Sequence, residues 1–220
     1  MHLLAAWTTL GTIELVRLLG IPVAVLFAAL LPGRNTARAA ALVVAAASAL
    51  LVELSGSWMV RAGWAVLWLL VAWQAGATGD AAAGESAPPG RRGGFEAGIL
   101  ALPLGLGLVL LLLAATSRQP LADADARLAS LGALVLGAGL IHLMFRRHVR
   151  RALVAFAALG LGLELLAAAA RSVDAQHAGP TAGSALAAAL VALALTLRIA
   201  GSRERFAGSP LVSDAHGLHD

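Results

Sequence analysis

Seven apolar stretches, separated by short polar breaks, take up most of the chain, and each is long enough to cross a bilayer. A spanning helix needs about 20 apolar residues, because ~30 Å of hydrocarbon is traversed at 1.5 Å per residue. The stretches are Leu3 to Leu31, Thr36 to Leu54, Trp58 to Ala77, Ala97 to Ala115, Leu128 to Phe145, Ala152 to Ala170 and Thr181 to Ala200. The first is long for a single span, so it must tilt, kink near Gly20-Ile21-Pro22 or project from the bilayer. Its length, the absence of a basic segment before it and the presence of Glu14 and Arg17 argue against a cleaved signal peptide. Ser55-Gly56-Ser57 reads as a tight turn, and Pro88-Pro89-Gly90-Arg91-Arg92-Gly93-Gly94 marks a flexible loop.

The pattern predicts an all-α, polytopic membrane protein of about seven helices. It divides into an N-terminal three-helix unit over 1–77, a polar loop over 78–96 and a linking helix and loop over 97–127. A C-terminal three-helix unit over 128–200 and a polar tail over 201–220 follow. A basic turn precedes span two (Arg34, Arg38) and span six (Arg147, Arg150, Arg151), and the next helix then carries Glu53 or Glu164, a hint of internal duplication.

Composition fits a bilayer solvent and excludes several functions. Sixty per cent of the residues are apolar and 13% charged, with a mean hydropathy of +0.84, against roughly 45–50% apolar for a soluble domain. Without Cys there is no disulfide, no thiolate zinc site and no iron–sulfur ligation by this chain. All 16 basic residues are Arg, and with the abundant Ala, Gly and Leu this reflects a GC-rich bacterial genome.

The Arg residues lie at membrane edges, so they read as topology signals and not as a nucleic-acid surface. With the N-terminus outside, 11 fall on the cytoplasmic side, among them Arg34, Arg38, Arg146, Arg147, Arg150 and Arg151. Only Arg61, Arg118, Arg127 and Arg171 fall opposite. The positive-inside bias therefore predicts a multi-pass protein of the bacterial inner membrane with an external N-terminus and a cytoplasmic C-terminus.

An ionised group at mid-bilayer costs at least ~2.5–3.5 kcal/mol on insertion scales, so each embedded polar residue needs a reason. Glu164, within Gly160-Leu161-Gly162-Leu163-Glu164-Leu165, is the principal candidate. It lies 13 residues beyond Arg151, about 20 Å along a helix and past the midplane. The adjacent glycines would admit a neighbouring helix or a file of water. Glu164 then serves either as a proton carrier or as a protonated, hydrogen-bonded structural group.

Glu14 and Arg17 share a helix face and form either a pair that lowers the insertion cost of both or a charge-coupling element. Glu53 and Arg61 can meet at the membrane edge. His142, one turn from the end of span five, is a candidate proton carrier or an interfacial packing residue. It has no embedded His partner for haem ligation. Trp58 and Trp73 suit an interfacial belt, whereas Trp64 and Trp68 suit packing. No Walker loop, HExxH, nucleophile elbow or paired-carboxylate site is present, which disfavours an intramembrane enzyme.

The basic turn Phe145-Arg146-Arg147-His148-Val149-Arg150-Arg151, the Ala/Gly-rich helix with its embedded carboxylate, and a last helix ending in Arg before a short polar tail resemble a known arrangement. They are similar to the K-type subunit of NADH–quinone oxidoreductase and the C-type subunit of multisubunit cation/proton antiporters. In size and number of spans the whole chain resembles the hydrogenase-4 component E family. That family's turn is Arg-Asn with a basic residue three positions on, where this chain has Arg147-His148 and Arg150-Arg151. The family also carries an acid near the start of its final span, where this chain has Thr181 and Ser184.

The resemblance implies a non-catalytic membrane subunit of a complex-I-like or membrane-hydrogenase-like assembly, packed beside antiporter-like subunits. Iron–sulfur or nickel–iron centres would then sit in partner subunits, with no cofactor or metal on this chain. Glu164 would be the main relay or coupling carboxylate, with His142, Glu14 and Arg17 secondary. The alternative is a stand-alone small transporter or a membrane scaffold of another complex.

Overall fold

The computed structural model describes residues 11–30, 35–52, 58–77, 106–107, 110–111, 113–114, 122–144, 149, 152–173 and 183–207. All of its regular structure there is helical. Six helices stand in chain order: α1 (Thr12–Leu30), α2 (Asn35–Leu51), α3 (Trp58–Ala77), α4 (Asp123–Met144), α5 (Ala152–Val173) and α6 (Ser184–Ala207). Of the fourth expected span, Ala97 to Ala115, the described residues 106–107, 110–111 and 113–114 are helical and the rest lie outside the described residues. Among the described residues, four helices, α3 to α6, are long and apolar enough to cross a membrane, while α1 and α2 carry shorter apolar stretches, Leu19–Ala28 and Thr36–Leu51.

Helix limits follow the expected spans closely at α3 and depart at polar ends elsewhere. α4 begins at Asp123, five residues before the expected Leu128. Asp123 and Asp125 in its first turn oppose the positive end of the helix dipole, which makes this polar sequence a good helix start. α6 runs on through Arg198, Arg203, Glu204 and Arg205 to Ala207, so the first part of the expected tail is helix. The side-chain oxygens of Ser202 and Thr196 bond back to Arg198 and Ala192, one turn earlier, which satisfies these hydroxyls within the helix.

Consecutive helices pack against one another within the sets α1–α2–α3 and α4–α5–α6, and contacts of α1 with α4 and of α3 with α5 and α6 join the sets. α5 is the central element: 72% of its membrane-length window is buried, against 22% for α6. Its burial depends on glycines. A Cβ built on Gly162 would lie 2.7 Å from Leu136 Cβ and 2.9 Å from Gly132 O, and one on Gly139 would lie 3.0 Å from Ala158 Cβ. Here α4 and α5 meet nearly backbone to backbone, along rows of small residues spaced by one or two helical turns.

Two residues away from Gly162, on the opposite face of α5, Gly160 receives Trp64 of α3 and Ala189 of α6 at 2.9 and 2.8 Å from a built Cβ. The Gly-Leu-Gly sequence thus opens two sides of one helix. Both openings are filled by helix atoms, so the alternative of a water file is replaced by close packing.

Large apolar side chains face outward on α1, α2, α3, α5 and α6, including Val23, Phe27, Val44, Val66, Leu163, Val191 and Ile199, each about half exposed. So extensive a belt is an aggregating surface in water and an ordinary one in lipid. Trp64 and Trp68 are wholly buried in the core, whereas Trp58 and Trp73 stand exposed toward the two ends of α3. Pro22 lies inside α1 without ending it. Gly20 faces the Ser48 side chain of α2.

Gly162→Ala should lower bundle stability by about 1–3 kcal/mol, because the added methyl meets backbone that has no room to move. Gly76→Ala, whose Cβ would meet Ala39 at an ordinary 3.5 Å, should be neutral or slightly stabilising. Denaturation of both variants in detergent micelles, followed by circular dichroism, separates the two outcomes.

Candidate functional site

The described polar and charged residues that are buried are Arg38, Ser48, Ser130, His142, Glu164 and Thr196. Ser130 donates to the Arg127 carbonyl at 2.9 Å and Thr196 to the Ala192 carbonyl at 2.7 Å. Those two hydroxyls serve their own helices and are not free for other chemistry. Arg38 is buried in the first turn of α2, away from the exposed surface where a pure topology signal needs no enclosure.

Glu164 is 2% exposed, in the middle part of the most buried helix. The Gly183 N–H donates to its Oε1 at 3.3 Å, a long bond for this donor and acceptor. Gly183 has φ of +93°, a conformation open to glycine and strained for other residues, and its carbonyl accepts the Ala187 N–H at 3.0 Å. Gly183 is therefore the N-cap of α6. The Glu164 carboxyl group reaches across from α5 to the N-terminus of α6, where backbone N–H groups have no acceptor within the helix. The cap is supplied by tertiary structure rather than by a neighbour in sequence. Val60 of α3 lies 3.6 Å from a Cβ built on Gly183, so the first turn of α3, with Arg61, sits at the same level. The Arg61 Nε is buried and makes no hydrogen bond to a described residue.

His142 is also buried, in the last turn of α4. The structure does not bring it to Glu164. α4 and α5 are antiparallel, with Gly132 against Gly162 and Gly139 against Ala155 and Ala158, which puts His142 near the level of Val154. Glu164 is ten residues further along α5, about 15 Å at 1.5 Å per residue. Glu14 and Arg17 belong to the opening turns of α1, but their side chains lie outside the described residues. So do Glu53, Arg34, Arg146, Arg147, Arg150, Arg151, the loop over 78–96 and the tail from 208. Among the described residues, no group of three or more His, Asp or Glu side chains is placed to hold a metal ion.

Sequence reasoning selected Glu164 but missed its partner. The signal was present in Gly183, a glycine directly before a long apolar helix. What single-sequence reading lacked was the register of α5 against α6. No family model, curated protein or solved structure matches the chain.

Replacing Glu164 should expose the importance of this cap. Glu164→Leu leaves the Gly183 N–H without this acceptor and should cost about 1–3 kcal/mol, whereas Glu164→Gln keeps a carbonyl oxygen there and should cost less. Thermal unfolding in the same detergent should rank wild type above Gln above Leu; equal midpoints for all three would remove the cap from the account.

Proposed function

We propose that this chain is a non-catalytic subunit of a complex-I-like or membrane-hydrogenase-like redox assembly in a bacterial inner membrane, contributing to proton or cation translocation through Glu164. The observation that carries this reading is a carboxylate enclosed in the most buried apolar helix and held against the start of the next one. Ionisable residues at such depth are costly and serve ion paths or coupling more often than ordinary packing.

The proposal also draws on the resemblance to the hydrogenase-4 component E family and to K-type and C-type subunits. The final span has no acid of its own near its start, yet the carboxylate of Glu164 reaches the start of α6 from the preceding helix. Glu164 and His142 stand ~15 Å apart, so neither passes a proton directly to the other. Antiporter-like subunits pack beside the chain, with iron–sulfur or nickel–iron centres in other partners. This chain provides a coupling carboxylate, not a complete wire. Glu14, Arg17 and His142 are secondary members of that path.

The Gly183 bond also favours a second reading, a membrane scaffold subunit in which Glu164 acts only as a helix cap. A stand-alone transporter remains its nearest relative in kind. Glu164→Gln separates the coupling and scaffold readings, since the amide still accepts the Gly183 N–H but cannot carry a proton. Coupling predicts loss of proton pumping with electron transfer retained in membrane vesicles. Wild-type pumping in that variant assigns Glu164 to structure.

Orientation is open to direct measurement because the natural chain has no Cys. Ala122→Cys and Phe206→Cys each introduce one thiol at an exposed position. In intact spheroplasts a membrane-impermeant maleimide should label Cys at 122 and spare Cys at 206. The reverse pattern contradicts the external N-terminus.

A further inference from the structure

A groove of about 410 Å³ runs between α5 and α6 at the end of the bundle opposite Glu164. Its walls are Ala152 and Phe156 from α5 and Ala192, Leu195, Ile199 and Arg203 from α6. The lining is apolar except at one end. Thr196 also borders the groove, but its hydroxyl is committed to the Ala192 carbonyl. Leu195 and Ile199 are each 53% exposed, so the groove opens sideways onto the face of the bundle that meets lipid.

Its dimensions and charge point to one occupant. From Ala192 to Arg203 is 11 residues of continuous helix, about 16 Å at 1.5 Å per residue. One leaflet of a ~30 Å hydrocarbon core is about 15 Å deep, so the groove is one leaflet long. Arg203 stands at the end that the Arg bias assigns to the cytoplasm. Arg205, by contrast, donates back to the Gly201 carbonyl of its own helix. The chain between the groove residues Val149 and Ala152 is Arg150-Arg151. The end of α6 adds Arg198, Arg203 and Arg205 against a single Glu204. An apolar slot one leaflet deep, headed by a cation within a strongly basic stretch, matches an acyl chain with a negatively charged headgroup.

We infer that the α5–α6 groove is a binding site for an anionic phospholipid of the cytoplasmic leaflet, with one acyl chain between Phe156 and Leu195 and the headgroup phosphate at Arg203. This inference rests on the membrane-embedded reading of the chain but not on its place in a redox complex. The bound lipid completes the thin outer wall of α6, the least buried of the four long helices.

The test is native mass spectrometry of the full-length protein, delipidated in detergent and titrated with phosphatidylglycerol or phosphatidylcholine of matched acyl chains. Wild type should bind phosphatidylglycerol more tightly, with one tightly held molecule. Arg203→Gln should weaken phosphatidylglycerol binding about five-fold, the factor expected for one Arg near an anionic surface. Ala192→Phe, which fills the slot without touching the cation, should displace both lipids. Equal affinity for the two lipids, unchanged by either substitution, overturns the site. So does a copurifying polypeptide that must be removed before any lipid binds. Recovery of the chain in the soluble fraction of lysed cells would overturn the membrane reading itself. Recovery in the membrane with no lipid preference would overturn the groove alone.

Discussion

In a bilayer the hiding of apolar side chains supplies little force between helices, because lipid tails are as apolar as leucine. Cohesion then depends on close van der Waals contact, which requires small residues wherever two backbones approach. That constraint organises this bundle. Gly132, Gly139 and Gly162 let α4 and α5 meet almost backbone to backbone, and Gly160 admits Trp64 and Ala189 on the other side of α5. α5 becomes the central helix through this packing, and its central position is what encloses Glu164.

The enclosed carboxylate and the recessed helix start satisfy each other. The first turn of α6 has N–H groups with no partner inside the helix, and the α5 carboxylate needs donors away from water. Gly183 allows the meeting by adopting a positive φ at the cap. A group placed this way suits coupling, because changing its charge alters the contact between two helices directly. It also suits scaffolding, because the same contact fixes their register.

Much of this was legible from hydrophobic run length alone. The expected limits of the third span, Trp58 to Ala77, coincide with those of α3, since a Ser-Gly-Ser turn before it and a polar segment after it bound a run that is apolar but for Arg61 and Gln74. The start of α4 at Asp123 and the extension of α6 to Ala207 were not legible. Acidic and basic residues there look like loop by hydropathy, yet they are favourable at helix ends. At the site, Glu164 stood out by its cost in an apolar run. Its meeting with Gly183 and its separation from His142 depend on the register of antiparallel helices, and Ala/Leu-rich periodicity leaves that register undetermined. Gly160 and Gly162 signalled close approach, but only the packed bundle specifies α3 and α6 on one side and α4 on the other.

The central claim is that this bundle works as a membrane subunit of a larger redox assembly. Affinity purification of the tagged chain from membranes in mild detergent, with mass spectrometry of the copurifying proteins, addresses it most directly. The account predicts antiporter-like and iron–sulfur or nickel–iron subunits in fixed ratio to the chain. A homogeneous monomer or homo-oligomer, recovered from membranes without such partners, would contradict it.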